Sequence, residues 1–166
     1  MRNSFFLSIL TGILITCSIS QATMIGPASD YNVFVFHDMN VWTSHSQGRV
    51  AAGGNISMSG GYSVGLLASP ADYSMVSGRN VYFGPGTVFN GGVFAGGNIQ
   101  LKNYCVRGDV TANGRINKNG GTITGKISQN AADVSPIGFA SAYSYLSSTS
   151  LSLAAMAPTG ITYVSP

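Results

Sequence analysis

Val93-Phe94-Ala95-Gly96-Gly97-Asn98-Ile99-Gln100-Leu101 restates Val50-Ala51-Ala52-Gly53-Gly54-Asn55-Ile56-Ser57-Met58. Six of the nine positions are identical, and two of the other three pair residues of similar character. Between the copies, Gly78-Arg79-Asn80-Val81-Tyr82-Phe83 repeats the tail of the unit, and it echoes Gly48-Arg49-Val50. Downstream the unit shortens to four residues. Gly108-Asp109-Val110-Thr111, Gly114-Arg115-Ile116-Asn117, Gly121-Thr122-Ile123-Thr124 and Gly125-Lys126-Ile127-Ser128 each carry a Gly, a polar residue, a β-branched apolar residue and a polar residue.

Side chains alternate across a strand, so such a unit is a very short strand with one apolar side chain inward and polar neighbours outward. Gly and Asn at the corners are expected to take positive φ and let the chain turn every few residues. Stacked rungs then bury a narrow column of Val, Ile, Leu and Met. The expected fold is mainly β, a short-rung β-solenoid or β-helix-like body. A β-sandwich with Gly-rich hairpins is the alternative; its strands are usually longer, and its loops rarely repeat nearly verbatim. Val33-Phe34-Val35-Phe36 is a further strand candidate.

The pattern changes at Ser135-Pro136-Ile137-Gly138-Phe139. Ser135 suits an N-cap and Pro136 a first helical turn. Phe139, Ala142, Tyr143, Leu146, Leu153 and Met156 then fall on one helical face, so one helix is expected over about 136–156, ending before Pro158 and Gly160. Its place is beside the solenoid, covering an apolar flank or a sheet edge.

Residues 1–22 read as a signal peptide: Arg2, an apolar run from Phe5 to Ile15, then Ser20 and Ala22 at the cleavage positions. The run is too short to span a bilayer, which needs roughly 20 residues. Leu14-Ile15-Thr16-Cys17 is only loosely shaped like a lipoprotein signal, because Thr16 is bulkier than the usual Gly or Ala. Residues 23–166 are then long enough for one domain with its own core. Removing Arg2 lowers the formal charge from +3 to +2, and the remaining basic residues are spread along the chain, unlike the dense basic patch of a nucleic-acid binder. Charged residues make up 8% of the chain and apolar ones 45%, the reverse of a disordered composition.

At this point the order of features resembles the choice-of-anchor A family of secreted and cell-surface domains. The resemblance is carried by Tyr31-Asn32-Val33-Phe34-Val35-Phe36, Gly48-Arg49-Val50-Ala51-Ala52-Gly53-Gly54-Asn55, Tyr62-Ser63-Val64-Gly65, the Gly-Gly-Asn rungs and the Ser-Pro-Ile-x-Phe helix opening, together most of residues 31–157. It implies an adhesive or structural surface module with a β-solenoid-like body. Relatives usually continue into more strands and an anchor. The resemblance therefore implies a domain cut short at Pro166, with membrane contact only through an anchor outside this sequence.

The residues offer little chemistry. There is no Glu, and the five Asp (Asp30, Asp38, Asp72, Asp109, Asp133) are scattered. Glycoside hydrolysis usually needs two facing carboxylates, which Asp72 and Asp109 would supply only by approaching one another. His37, Asp38 and His45 match no zinc-ligand spacing, and the bland reading is a satisfied loop histidine. No Gly-x-Ser-x-Gly elbow occurs, and the Gly-Gly-Asn turns lack the lysine of a phosphate loop. Arg107-Gly108-Asp109 is an integrin-type tripeptide lying inside the rung pattern. Cys105, flanked by Tyr104 and Val106, reads as a buried small apolar residue rather than an intermolecular disulfide handle.

No catalytic, cofactor-binding or metal-ligating residue is therefore assigned, and the ligand-binding residues are not legible. The expected function is a secreted or cell-surface adhesive module without catalysis, binding an extended polysaccharide or matrix protein. Tyr62, Tyr73, Tyr82 and Tyr104 have two readings, stacking on sugar rings or packing between rungs. The alternatives are a secreted polysaccharide-acting enzyme on a β-helix scaffold and an ice-binding protein, the latter lacking a regular Thr-x-Thr ladder.

Overall fold

The computed structural model describes residues 25–157. The expected signal peptide, and Pro158 and Gly160, lie outside the described residues. The first coil runs through β1 (Val33–Val35), β2 (Met39–Val41) and β3 (Ser44–Ser46). The second comprises β4 (Val50–Ala52), β5 (Ile56–Met58) and β6 (Tyr62–Val64), and the third β7 (Tyr73–Ser77), β8 (Val81–Phe83) and β9 (Gly86–Val88). In the next two coils the second and third sides share one bent strand: β10 (Gly92–Ala95) with β11 (Ile99–Val106), then β12 (Val110–Ala112) with β13 (Ile116–Ile123). β14 (Ile127–Gln129) opens a further turn.

Every recorded strand pairing is parallel. That pairing defines a β-solenoid and excludes the antiparallel sandwich. Three faces result. Face A is the sheet β1-β4-β7-β10-β12-β14. Face B holds β2, β5, β8 and the first halves of β11 and β13; face C holds β3, β6, β9 and the second halves. The bend between B and C falls at Asn103 (φ 51°) in β11 and Gly120 (φ 64°) in β13.

Register gives the coil its length. Val33 pairs with Val50 and Val93 with Val110, each 17 residues on. Val50 pairs with Met75, 25 residues on, because residues 65–72 insert between the second and third coils. The inward column includes Val50, Ile56, Met58, Val64, Met75, Phe83, Ile99, Leu101 and Val110, each 0–1% exposed. Each such side chain contributes about 1.5–3 kcal/mol of burial free energy.

The repeated glycines have a different cause from the expected one. Gly53, Gly54, Gly96 and Gly97 are not among the positive-φ residues. They stack: a Cβ on Gly53 would lie 2.5 Å from the Phe36 carbonyl oxygen, one on Gly78 would strike the Gly53 carbonyl, and one on Gly96 would lie 2.5 Å from the Gly78 oxygen. Rung spacing is about 4.8 Å, and at this corner the backbones leave no room for a side chain.

Face A is closed by the helix. Its outward residues Ala51, Val76 and Phe94 are buried with Ile137, and Phe139 and Tyr31 pack at the margin. Phe34 meets Phe139 at 5.6 Å between ring centroids, and Phe36 meets Tyr143 edge-on at 5.1 Å. The helix α1 spans Phe139–Ala154. It starts later than the sequence suggested, with Gly138 at the N-cap, while the Ser135 hydroxyl accepts the Ile137 N–H at 3.3 Å in the approaching turn. In its middle Ser148 and Thr149 donate back to the Tyr145 carbonyl. Only the first half of the expected apolar face is used: Ala142 is buried, but Leu153 and Met156 are exposed.

Candidate functional site

With face A under the helix, faces B and C are open to a ligand among the described residues. On face B the outward positions Asn40, Ser57, Tyr82, Gln100 and Asn117 pair rung to rung in strict register. Their neighbours along each strand point inward: Ile56 and Met58 flank Ser57, and Val81 and Phe83 flank Tyr82, all buried. The alternation that builds the core thus sets out a polar row.

A second row borders the first along the corner with face A. The Asn55 N–H donates to Asp38 Oδ1 at 2.6 Å, the Asn80 N–H to Asn55 Oδ1 at 3.2 Å, the Asn98 N–H to Asn80 Oδ1 at 2.8 Å, and the Arg115 N–H to Asn98 Oδ1 at 2.8 Å. The side-chain amides of Asn55 and Asn80 also donate up the ladder. Together the rows line a shallow groove of about 490 Å³, with Tyr82, Gln100 and Asn117 on its floor and Asn55, Asn80 and Asn98 on its wall. Arg115 is its one charged lining residue. The groove offers amides, hydroxyls and one aromatic ring, a set that binds neutral polar matter by hydrogen bonds and stacking.

Face C carries a narrower outward row in the same register: His45, Ser63, Thr87, Cys105 and Thr122. Cys105 is therefore half-buried on an outward position and not in the core as expected; Tyr104 and Val106 turn inward and the thiol turns out.

The tyrosines separate in the same way. Tyr62 and Tyr104 are buried, and burial pushes the Tyr62 hydroxyl pKa up. Tyr73 donates or accepts at Thr111 Oγ1 (2.9 Å) and packs against Phe94 beneath the helix. Of the four candidates Tyr82 lines the face-B groove, and Tyr73 lines the small cleft reached by Asp72 and Asp109. The inward or outward sense of a Tyr depends on its register within a strand, which the spacing of tyrosines alone does not reveal.

The remaining candidates have structural partners. Asp38 starts the asparagine ladder. His37 lines a cleft with Asp38 and Arg79, His45 another with Ser63 and Phe89. No group of three His, Cys, Asp or Glu residues gathers among the described residues. Asp72 and Asp109 do reach one cleft, of about 190 Å³. Each is engaged there: Asp72 lies 3.9 Å from the Arg49 guanidinium, and Asp109 Oδ1 accepts the Lys126 N–H at 2.8 Å. Arg107 sits over the Phe89 ring at 5.4 Å. Arg49, ahead of β4, donates to the Tyr73 carbonyl at the start of the third coil and to the Tyr31 hydroxyl ahead of the first, both at 2.9 Å. Burial raises the Tyr31 pKa, and Arg49 opposes that shift in part.

A parallel solenoid with one face under a helix and two faces open is the geometry on which comparison with known proteins bears. A family model described as "Putative Ice-binding-like adhesive domain" matches residues 24–165. The chain belongs to this adhesive-domain family. No curated protein and no solved structure matches it. The adhesive-domain assignment is coarser than the choice-of-anchor A resemblance and agrees with its adhesive character. No helix among the described residues of this adhesive domain is long and apolar enough to cross a membrane.

Proposed function

We propose that this chain is an extracellular or cell-surface adhesive module that holds an extended ligand, polysaccharide or matrix protein, on face B without chemical turnover. The observation that carries the reading is the in-register polar groove around Tyr82, exposed while the middle of face A is buried. The motif order shared with choice-of-anchor A domains supports a surface setting. So does the secretion-like leader at residues 1–22. Purified protein applied to a panel of extracellular polysaccharides and matrix proteins should be retained by at least one, and Tyr82→Ala should weaken that retention. Absence of retention on either class would sink the reading, and release of reducing sugar would replace it with a catalytic one.

The family description and face C favour a second reading. Ser63 and Thr87 present hydroxyls on adjacent rungs of face C, and Thr122 presents another beyond Cys105, a surface on which ordered water can sit. Thermal hysteresis abolished by Thr87→Tyr is the outcome this reading requires.

A further inference from the structure

Trp42 is the only tryptophan in the sequence, and it is 73% exposed. It follows β2 directly, two residues beyond Asn40, so it belongs to the same outward parity as the polar row of face B. A Cβ on Gly60, one coil further on, would lie 2.8 Å from the indole, so the ring spreads over the adjacent rung. Neither the core clusters nor the aromatic contacts among the described residues include it. An indole that rests on the Gly60 rung with most of its surface exposed is a second aromatic platform on the face that carries Tyr82.

From Trp42, Tyr82 and the polar row between and beyond them, we infer that face B is a track for a neutral, extended polysaccharide lying along the solenoid axis, about one sugar unit per rung. This rests on the adhesive reading and specifies its ligand. Three observations support it. The row Asn40-Ser57-Tyr82-Gln100-Asn117 repeats at the rung spacing, so a polymer with a comparable repeat meets an equivalent donor or acceptor at each step, over about 19 Å in all. Charge among the groove's lining residues is confined to Arg115 at one end, and at the register position of Trp42 face B adds Lys102, two cations that are too few to hold a polyanion along its length. Finally, Tyr82 sets an aromatic face within the polar row and Trp42 sets another at its margin, a match for the apolar and hydroxyl-bearing faces of a pyranose chain. A matrix protein laid on the same face would bring a varied surface to a repeating one.

Trp42 makes the track directly observable. The test is fluorescence titration of the protein, expressed from its full sequence, with cello- and chito-oligosaccharides from the disaccharide to the hexasaccharide. Calorimetry on the same series gives affinities independent of the fluorophore. The expected result is a blue shift and reduced acrylamide quenching of Trp42, with affinity rising at least tenfold from disaccharide to pentasaccharide and levelling there. Tyr82→Ala should lose about tenfold in affinity, while Tyr82→Phe keeps most of it. Trp42→Phe should abolish the signal and retain calorimetric binding. An affinity independent of chain length overturns the axial track, as does saccharide binding that leaves Trp42 emission unchanged and survives Tyr82→Ala. Capture of a matrix protein with no saccharide binding overturns this inference and leaves the adhesive reading standing; binding to neither removes both.

Discussion

The Asn98 backbone N–H donates to the Asn80 side-chain Oδ1 at 2.8 Å, although 18 residues separate them in the chain. The contact is one step in a ladder from Asp38 to Arg115 in which each side chain closes a backbone group of the next coil. A solenoid corner has no strand partner for those N–H groups, so the ladder performs there the work that sheet hydrogen bonds perform on the faces.

Asn80→Ala removes one side-chain acceptor and one side-chain donor contact at a partly solvated corner and should destabilise the fold by about 1–2 kcal/mol in urea unfolding. Asn80→Asp keeps the acceptor for Asn98 and loses the amide donor, so its cost should fall between. Asp38→Asn should be neutral within about 0.5 kcal/mol, since asparagine serves the same role at the next three rungs.

The Arg107-Gly108-Asp109 tripeptide is bound up with the scaffold. A Cβ on Gly108 would strike the Gly91 carbonyl of the preceding coil, so Gly108→Ala should cost about 1–3 kcal/mol. Asp109→Asn retains the oxygen that accepts the Lys126 N–H and should leave stability within about 0.5 kcal/mol. Cell attachment should be unchanged in Asp109→Asn and in Asp109→Glu; a loss in both, with folding intact, would assign the tripeptide a recognition role.

Stability should fall in alkali. Burial raises the Tyr62 hydroxyl above its ordinary value of 10.0, so the fold favours the neutral phenol. That contribution is complete below the unfolded value and is lost as pH climbs from there through the folded one. Tyr31 is shifted the same way. The urea midpoint should therefore hold up to about pH 10 and drop as pH rises beyond it, and Tyr62→Phe should flatten the drop. An unchanged slope in Tyr62→Phe would show that other groups cause it.

Cys105 stands on face C, half-buried between Thr87 and Thr122. Maleimide should label it in the native protein without denaturant, and Cys105→Ser should change stability by no more than about 0.5 kcal/mol. Labelling that requires unfolding would return the thiol to the core.

Much of the architecture was legible in the residues. The near-verbatim repeat of Val-x-Ala-Gly-Gly-Asn-Ile marked stacked rungs, because only equivalent environments ask for equivalent residues at a glycine, an amide and two inward apolar positions. The isolated Val or Ile between polar neighbours gave the inward column. The site was less legible. Tyr62 and Tyr82 read alike in the chain, yet one is core and the other groove floor, since a shift of one position within a strand reverses the face.

The sequence by itself determined that the chain is a stack of short rungs with a helix after Pro136, because periodicity, glycine placement and side-chain branching are local properties. Tertiary structure decided the three-sided coil, the stacking cause of the Gly-Gly pairs and the asparagine ladder. It also decided which aromatic residues face a ligand. These depend on register between strands 17 to 25 residues apart. Register is fixed by what the coils jointly bury, and no segment of the chain holds that information alone.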